Sequence, residues 1–223
     1  MKNIKRFDWL VIITAFYIAG CVLQNILAVK TFGTNIIAIT TGGTLISWLV
    51  FACIDILTEV WGKKRARLTF IGGAIMNIFF NIVCWIAIAI PGTNEFVGSA
   101  YSTVLGTSWR IATASIIAFL LGNFIDTHIM YKMKVQSEDE HKNLGFVIRA
   151  TVSTLFGQLA DNAIFYILAF APIGIIGTVE SSWLMIGQLV LFTTILETVI
   201  EAIFSPFIGK FAEYLKSKKG EII

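Results

Sequence analysis

Six stretches of this chain are apolar over the length of a lipid-spanning helix: Trp9 to Val29, Gly42 to Val60, Leu68 to Ile90, Leu105 to Ile129, Leu144 to Ala171 and Trp183 to Ile208. A transmembrane helix needs about 20 such residues, whereas a membrane-barrel strand needs about ten in strict alternation. None of the six runs alternates. The expected fold class is therefore all-α, a polytopic membrane protein built as a six-transmembrane-helix bundle, with residues 1–223 forming one integral membrane domain. The composition excludes a water-soluble globule, since 57% of residues are hydrophobic, 14% are charged and the mean hydropathy is +0.81.

A net charge of +3 could indicate nucleic acid, but the placement of the basic residues argues otherwise. Lys2, Lys5 and Arg6 precede the first span, and Lys63, Lys64, Arg65 and Arg67 separate the second from the third. Lys132, Lys134, Lys142 and Arg149 surround the fourth connection, and Lys210, Lys216, Lys218 and Lys219 close the chain. Lys30 and Arg110 alone fall on the other side. By the positive-inside rule both termini are cytoplasmic, as an even number of spans also requires. Residues 91–104 and 172–182 read as short outer loops, and the mixed-charge stretch around Glu138, Asp139 and Glu140 reads as a solvated inner hairpin.

Cys21, Cys53 and Cys84 lie in apolar runs without CxxC spacing or a partnering His pair, so they read as small core residues and no metal or cofactor is expected. Ile18-Ala19-Gly20-Cys21 fits a lipoprotein processing signal, but the apolar run continues past Cys21, as an intact span would.

Ionisable and amide groups inside hydrocarbon are costly and must face a partner or a cavity. Asp55 and Glu59 stand at i, i+4 on one helical face just before the basic cluster, so an ion-pair lock, or a gate at the cytoplasmic mouth, is expected between them and Arg65 and Arg67. The fourth and fifth spans share an echo, Gly122-Asn-Phe-Ile-Asp126-Thr against Gly157-Gln-Leu-Ala-Asp161-Asn. Adjacent spans run in opposite directions, so such an echo is what an inverted repeat leaves. Asp161 is expected deep in its span, with Gln158 and Asn162 beside it, and Asp126 near the inner surface. Asn77 and Asn81 share a face of the third span with Trp85 one turn further on, and Gln24, Asn25 and Lys30 sit toward the outer end of the first. The last span carries Glu197 and Glu201 at i, i+4, and Pro206 beyond them frees a backbone carbonyl or kinks the helix. Converging, these groups would line a pocket for a small planar polar solute. Carboxylates accept from neighbouring N–H groups, amides give and accept, and an aromatic such as Trp85 stacks on a ring face, which suits a guanine-like edge.

The chain resembles the queuosine precursor transporters, also called the vitamin uptake transporter family. The resemblance rests on Asp55-Ile-Leu-Thr-Glu59-Val-Trp-Gly62-Lys-Lys-Arg-Ala-Arg67 and on Arg149-Ala-Thr-Val-Ser153-Thr-Leu-Phe-Gly-Gln158-Leu-Ala-Asp161-Asn-Ala-Ile-Phe165, with support from Asn25-Ile-Leu-Ala-Val-Lys30, Ser115, the Asp126 segment and Ser205-Pro206. It implies a six-span importer of 7-deazaguanine bases. Apart from the resemblance, the sequence is read as a multi-pass protein of a prokaryotic plasma membrane with no cofactor and no nucleic-acid partner, and it is compatible with a homodimer. The residues themselves, again apart from the resemblance, assign Asp55, Glu59, Arg65, Arg67, Asp126 and Arg149 to a gate or ion-pair network, and Asn77, Asn81, Trp85, Gln158, Asp161, Asn162, Glu197, Gln24 and Asn25 to solute contact. Two positions depart from the family pattern. Trp48 stands where a proline is common, and Glu197 where a lysine is common, a charge reversal that would favour an amine-bearing precursor.

Rival classes find less support. No GxSxG or HExxH motif is present, and the two histidines, His128 and His141, lie near the inner surface, which disfavours an intramembrane enzyme. A channel could use Asp161, Glu197 and Glu201 as a polar track, but repeated pore-lining elements are missing. The closer rival is the substrate-binding subunit of an energy-coupling-factor vitamin importer, for which Ala15 and Ala19 could form a docking pair.

Overall fold

The computed structural model describes residues 9–28, 30–33, 37–106, 109–136, 142–172 and 182–217. Lys2, Lys5, Arg6, the acidic run from Glu138 to Glu140, His141, Gly174, Gly177, Glu180, Lys218 and Lys219 lie outside the described residues. The elements are α1 (Trp9–Ala28), β1 (Thr31–Gly33), β2 (Ala38–Thr41), α2 (Thr44–Trp61), α3 (Lys63–Ala89), α4 (Glu95–Leu105), α5 (Trp109–Gln136), α6 (Lys142–Phe170) and α7 (Trp183–Ser217). Six of these helices, all but α4, are long and apolar enough to cross a membrane. The chain is thus an all-α polytopic bundle.

Contacts between helix ends establish the alternation of direction. Trp9 at the start of α1 packs edge-on against Phe211 near the end of α7, with ring centroids 5.1 Å apart. Lys63 at the start of α3 meets His128 late in α5, 2.9 Å from its Nδ1. Glu59 at the end of α2 pairs with Arg149 early in α6 and with Lys216 at the end of α7. These residues mark one basic end of the bundle, at which the described chain both begins and finishes.

α2 is the central helix: 72% of its apolar window is buried, against 22–44% for the other five. Its polar residues Thr44, Ser47, Asp55, Thr58 and Glu59 are buried with its apolar ones. The other helices expose apolar side chains outward, among them Ile75, Phe79, Ile203 and Phe207, as lipid contact requires. α2 and α3 are joined by Gly62 alone, whose φ of 86° lies in the left-handed region that glycine adopts without steric cost.

The structure differs from the sequence reading in three places. The connection over 91–104, expected as a short outer loop, contains α4, capped by Asn94, whose Oδ1 accepts from Val97 N–H at 3.1 Å. Pro91 and Gly92 suggested a loop, but the Asn N-cap and Glu95 in the first turn favour a helix, which buries none of its residues. The second difference is a small antiparallel hairpin, β1 paired with β2, between the first two spans. Its strands of three and four residues are too short to show alternation. Third, α5 and α7 run past the apolar limits Ile129 and Ile208, because hydropathy tracks lipid thickness while a helix can project beyond it. α7 passes through Pro206 without interruption. The carbonyl that Pro206 cannot reach is that of Ala202, and Ser205 Oγ donates to it at 3.2 Å.

Candidate functional site

α5 and α6 cross closely, and the crossing has a local two-fold pattern. A Cβ placed on Gly122 would lie 2.7 Å from Asp161 Cβ and 3.0 Å from the Gly157 carbonyl oxygen. A Cβ on Gly157 would lie 2.7 Å from Asp126 Cβ and 3.2 Å from the Gly122 carbonyl oxygen. The sequence echo is therefore a spatial one: each glycine seats the aspartate of the opposite repeat, and larger residues would force the helices apart. The two aspartates diverge from this crossing into different surroundings.

Asp161 faces a cavity of about 50 Å³ lined from α1, α2, α3, α5, α6 and α7, with Thr41 of the hairpin closing one side. Gln24, Asn25, Asn77, Asp161, Asn162 and Glu197 all line it. Ser115 Oγ donates to Asn25 Oδ1 at 2.7 Å, and Asn25 Nδ2 donates to Asn77 Oδ1 at 3.1 Å. Opposite them, Asn162 Nδ2 donates to Glu197 Oε2 at 3.1 Å and to Thr194 Oγ1 at 3.2 Å. Phe119, Phe165 and Tyr166 supply the aromatic walls, with the Tyr166 hydroxyl 3.3 Å from Thr193 Oγ1. No Lys, Arg or His lines the cavity among the described residues, so the site presents two carboxyls and several amides with no basic side chain. A solute rich in N–H donors matches that lining. At about 50 Å³ the cavity has room for a few waters, so a bicyclic ring requires the walls to part.

Three residues expected in this site lie elsewhere. Trp85 is 42% exposed on the outer face of α3, because a further helical turn carries it around the helix and away from Asn77. Asn81 is buried but returns its Nδ2 to the Asn77 carbonyl at 2.8 Å, a bond within its own helix. Gln158, one turn from Asn162, is buried nearer the basic end, outside the cavity lining. Residues missed from sequence include Tyr166, Thr41, Thr44 and Thr193. Tyr166 stands at i+4 from Asn162 and could have been found by helical spacing. The threonines give no such signal, since their helix and hairpin meet only in the folded chain.

The expected network at the basic end also differs. Glu59 pairs with Arg149 Nη2 at 3.2 Å and with Lys216, and its carbonyl accepts from Lys134. Arg65 is exposed, and Arg67 lies over the Phe124 ring at 4.7 Å from its centroid. Neither is among the ion-pair partners of Glu59, because the reversal at Gly62 carries the start of α3 toward α5. Asp55 does not join the lock either. Four residues along α2 place it one turn deeper, where Ser153 Oγ donates to its Oδ1 at 3.5 Å. Asp126 is enclosed with it rather than near the surface, since α5 continues more than two turns beyond it.

A family described as "Putative vitamin uptake transporter" matches residues 41–211, which include α2, α3, α5, α6 and most of α7. The "Queuosine precursor transporter" of Escherichia coli (strain K12) is 25% identical over 131 residues, covering 59% of this chain and 55% of that protein. The "Probable queuosine precursor transporter" of Bacillus subtilis (strain 168) is 24% identical over 152 residues, covering 68% and 63%. The matched region thus spans less than two thirds of the length of either relative. No solved structure matches. Both names denote transporters and not enzymes, and the family match covers most of the chain, including the cavity helices α2, α6 and α7. This multi-pass membrane protein belongs to the vitamin uptake transporter family.

Proposed function

We propose that this chain imports queuosine precursors, 7-deazaguanine bases, across a prokaryotic plasma membrane by alternating access. The basic end faces the cytoplasm, in keeping with the positive-inside rule. The observation that carries the reading is the cavity: Asp161, Glu197 and the amides of Gln24, Asn25, Asn77 and Asn162 surround a space walled by Phe119, Phe165 and Tyr166. A 7-deazaguanine offers adjacent N–H donors to the carboxyls, a carbonyl to an amide N–H, and two ring faces to the aromatics. The relatives' names support the same solute class. The Glu59, Arg149 and Lys216 cluster joins α2, α6 and α7 at the basic end and serves as the inner gate. Access alternates as the cavity walls part on one side while the other remains packed.

The test is precursor-dependent tRNA modification in an auxotrophic host expressing this chain, compared with Asp161→Asn. Full rescue by the variant removes Asp161 from the site. Glu197→Gln extends the test to the choice of solute: loss of preference for the amine-bearing over the nitrile-bearing precursor is expected, and an unchanged preference defeats that assignment.

The reading as a substrate-binding subunit of an energy-coupling-factor importer retains one specific observation, since Ala15 and Ala19 both lie on an exposed face of α1. Rescue in a host lacking the coupling ATPase module decides against it.

A further inference from the structure

Below the cavity, toward the basic end, a second polar cluster is buried among α2, α5, α6 and α7. Asp55, Asp126 and Glu201 are each fully buried. Asp126 and Glu201 both bear electrostatically on Asp55. Five of their six carboxyl oxygens have no hydrogen-bond partner: Asp55 Oδ2, both oxygens of Asp126 and both of Glu201. Gln158, 1% exposed, leaves both ends of its amide unpartnered, as do the fully buried hydroxyls of Thr127 and Thr154. The antiparallel register of α6 on α7 aims Gln158 into this cluster. Tyr166 meets Thr193 and Asn162 meets Glu197, so the next turn brings Gln158 level with Glu201.

Three ionised carboxylates so enclosed, with so few donors, would carry a desolvation cost that no native fold sustains. Something positive must accompany them. The neighbours do not supply it. Arg149, Lys216 and Lys134 are engaged with Glu59 one turn below, Lys134 at its backbone carbonyl. Tyr17 faces Asp126 from α1 and donates its hydroxyl to Asn123 Oδ1 at 2.7 Å, and Cys53 of α2 stands near Glu201. On the cavity side the facing groups are Asp161 and Glu197, also acidic. Among the described residues no three His, Cys, Asp or Glu side chains converge closely enough to hold a metal ion. A proton needs no cage and no cavity.

We propose that Asp55, Asp126 and Glu201, with Ser153 and Gln158, form a proton-binding site distinct from the solute cavity, and that proton loading there is coupled to solute passage. Each step adds one proton to a carboxylate oxygen, giving a carboxylic acid, and returns it to water when the basic end opens. The site lies on the same α5–α6 crossing as the cavity: Asp126 is held against Gly157 just as Asp161 is held against Gly122. Opening one side of the crossing therefore displaces the other. The coupling rests on the transport reading, whereas proton binding does not.

The purified full-length protein, reconstituted in liposomes without solute, is titrated while the carboxylic-acid carbonyl stretch is followed by infrared difference spectroscopy. A titrating band that shrinks in each of Asp126→Asn, Glu201→Gln and Asp55→Asn is expected, with folding of each variant checked by size-exclusion elution. A band unchanged in all folded variants overturns the site. In the same liposomes, one proton per solute supports about tenfold accumulation across a one-unit pH gradient, the ratio that corresponds to 1.4 kcal/mol. Glu201→Gln is expected to bind the amine-bearing precursor but to lose that accumulation. Accumulation driven by a sodium gradient, or kept in full by Glu201→Gln, refutes the coupling. Failure of the wild type to bind any precursor while the carboxyl band still titrates would instead count against the solute assignment alone.

Discussion

Replacing Gly122 or Gly157 by alanine tests the crossing on which both polar sites depend. Each new methyl would meet an aspartate Cβ at 2.7 Å and a backbone carbonyl oxygen at 3.0 or 3.2 Å, neither of which can swing aside as a side-chain terminus could. Carbon atoms in good contact lie about 3.5–4.0 Å apart, so the helices must separate by about 1 Å. A gap of that size forfeits a quarter to a half of the dispersion energy along the interface, and overpacking of this kind costs about 1–3 kcal/mol. The better helix propensity of alanine returns about 0.5–1 kcal/mol, leaving a net loss of about 0–2.5 kcal/mol per substitution, centred on about 1 kcal/mol. One separation accommodates both methyl groups, so the double variant should lose less than the sum of the two singles. Gly72→Ala, in the middle of α3 with nothing within 4 Å of the added methyl, is the control and should be neutral or stabilising. Unfolding free energies from denaturing-detergent titration of the purified protein measure all four. If Gly122→Ala and Gly157→Ala behave like Gly72→Ala, the close crossing and the two-fold reading of the echo are wrong.

Other consequences can be checked with the same preparation. Glu59→Gln removes the carboxylate that pairs with the buried Arg149 guanidinium and should cost about 1.5–3 kcal/mol by detergent titration, with partly exposed Lys216 contributing little to that figure; a loss below 1 kcal/mol would show that the lock is not structural. Ser205→Ala strands the Ala202 carbonyl beside Pro206 and should cost about 1–3 kcal/mol, and a neutral result would mean that the carbonyl finds another donor. Trp85→Ala should leave precursor uptake within twofold of wild type because the ring is outside the cavity, whereas Tyr166→Ala should weaken it by about tenfold if stacking and the hydroxyl together contribute about 1.5 kcal/mol. Equal losses from the two variants would contradict the placement of the aromatic wall.

The number of spans, their up-and-down order and the gathering of basic residues at one end follow from the order of residues alone. Lipid thickness sets the length of an apolar run and charge resists crossing it, so both are written along the chain. The Gly122/Asp126 and Gly157/Asp161 echo was legible for the same reason, as a pattern within two local segments. What the folded bundle decided was which face meets which neighbour. In water an amphipathic stripe marks the buried side of a helix, but here the outside is lipid and as apolar as the core, so Trp85 and Asn77 carry no label saying which one points inward. Spacing put Asp55 and Glu59 at i, i+4 on one face, and set Gln158 and Asn162 a turn or less from Asp161. It could not say that one turn of rise carries the two members of each pair to different partners: Glu59 to Arg149 and Asp55 to Ser153, Asn162 to Glu197 and Gln158 to the level of Glu201. Depth relative to a neighbouring helix is a property of packing, and only the assembled helices supply it.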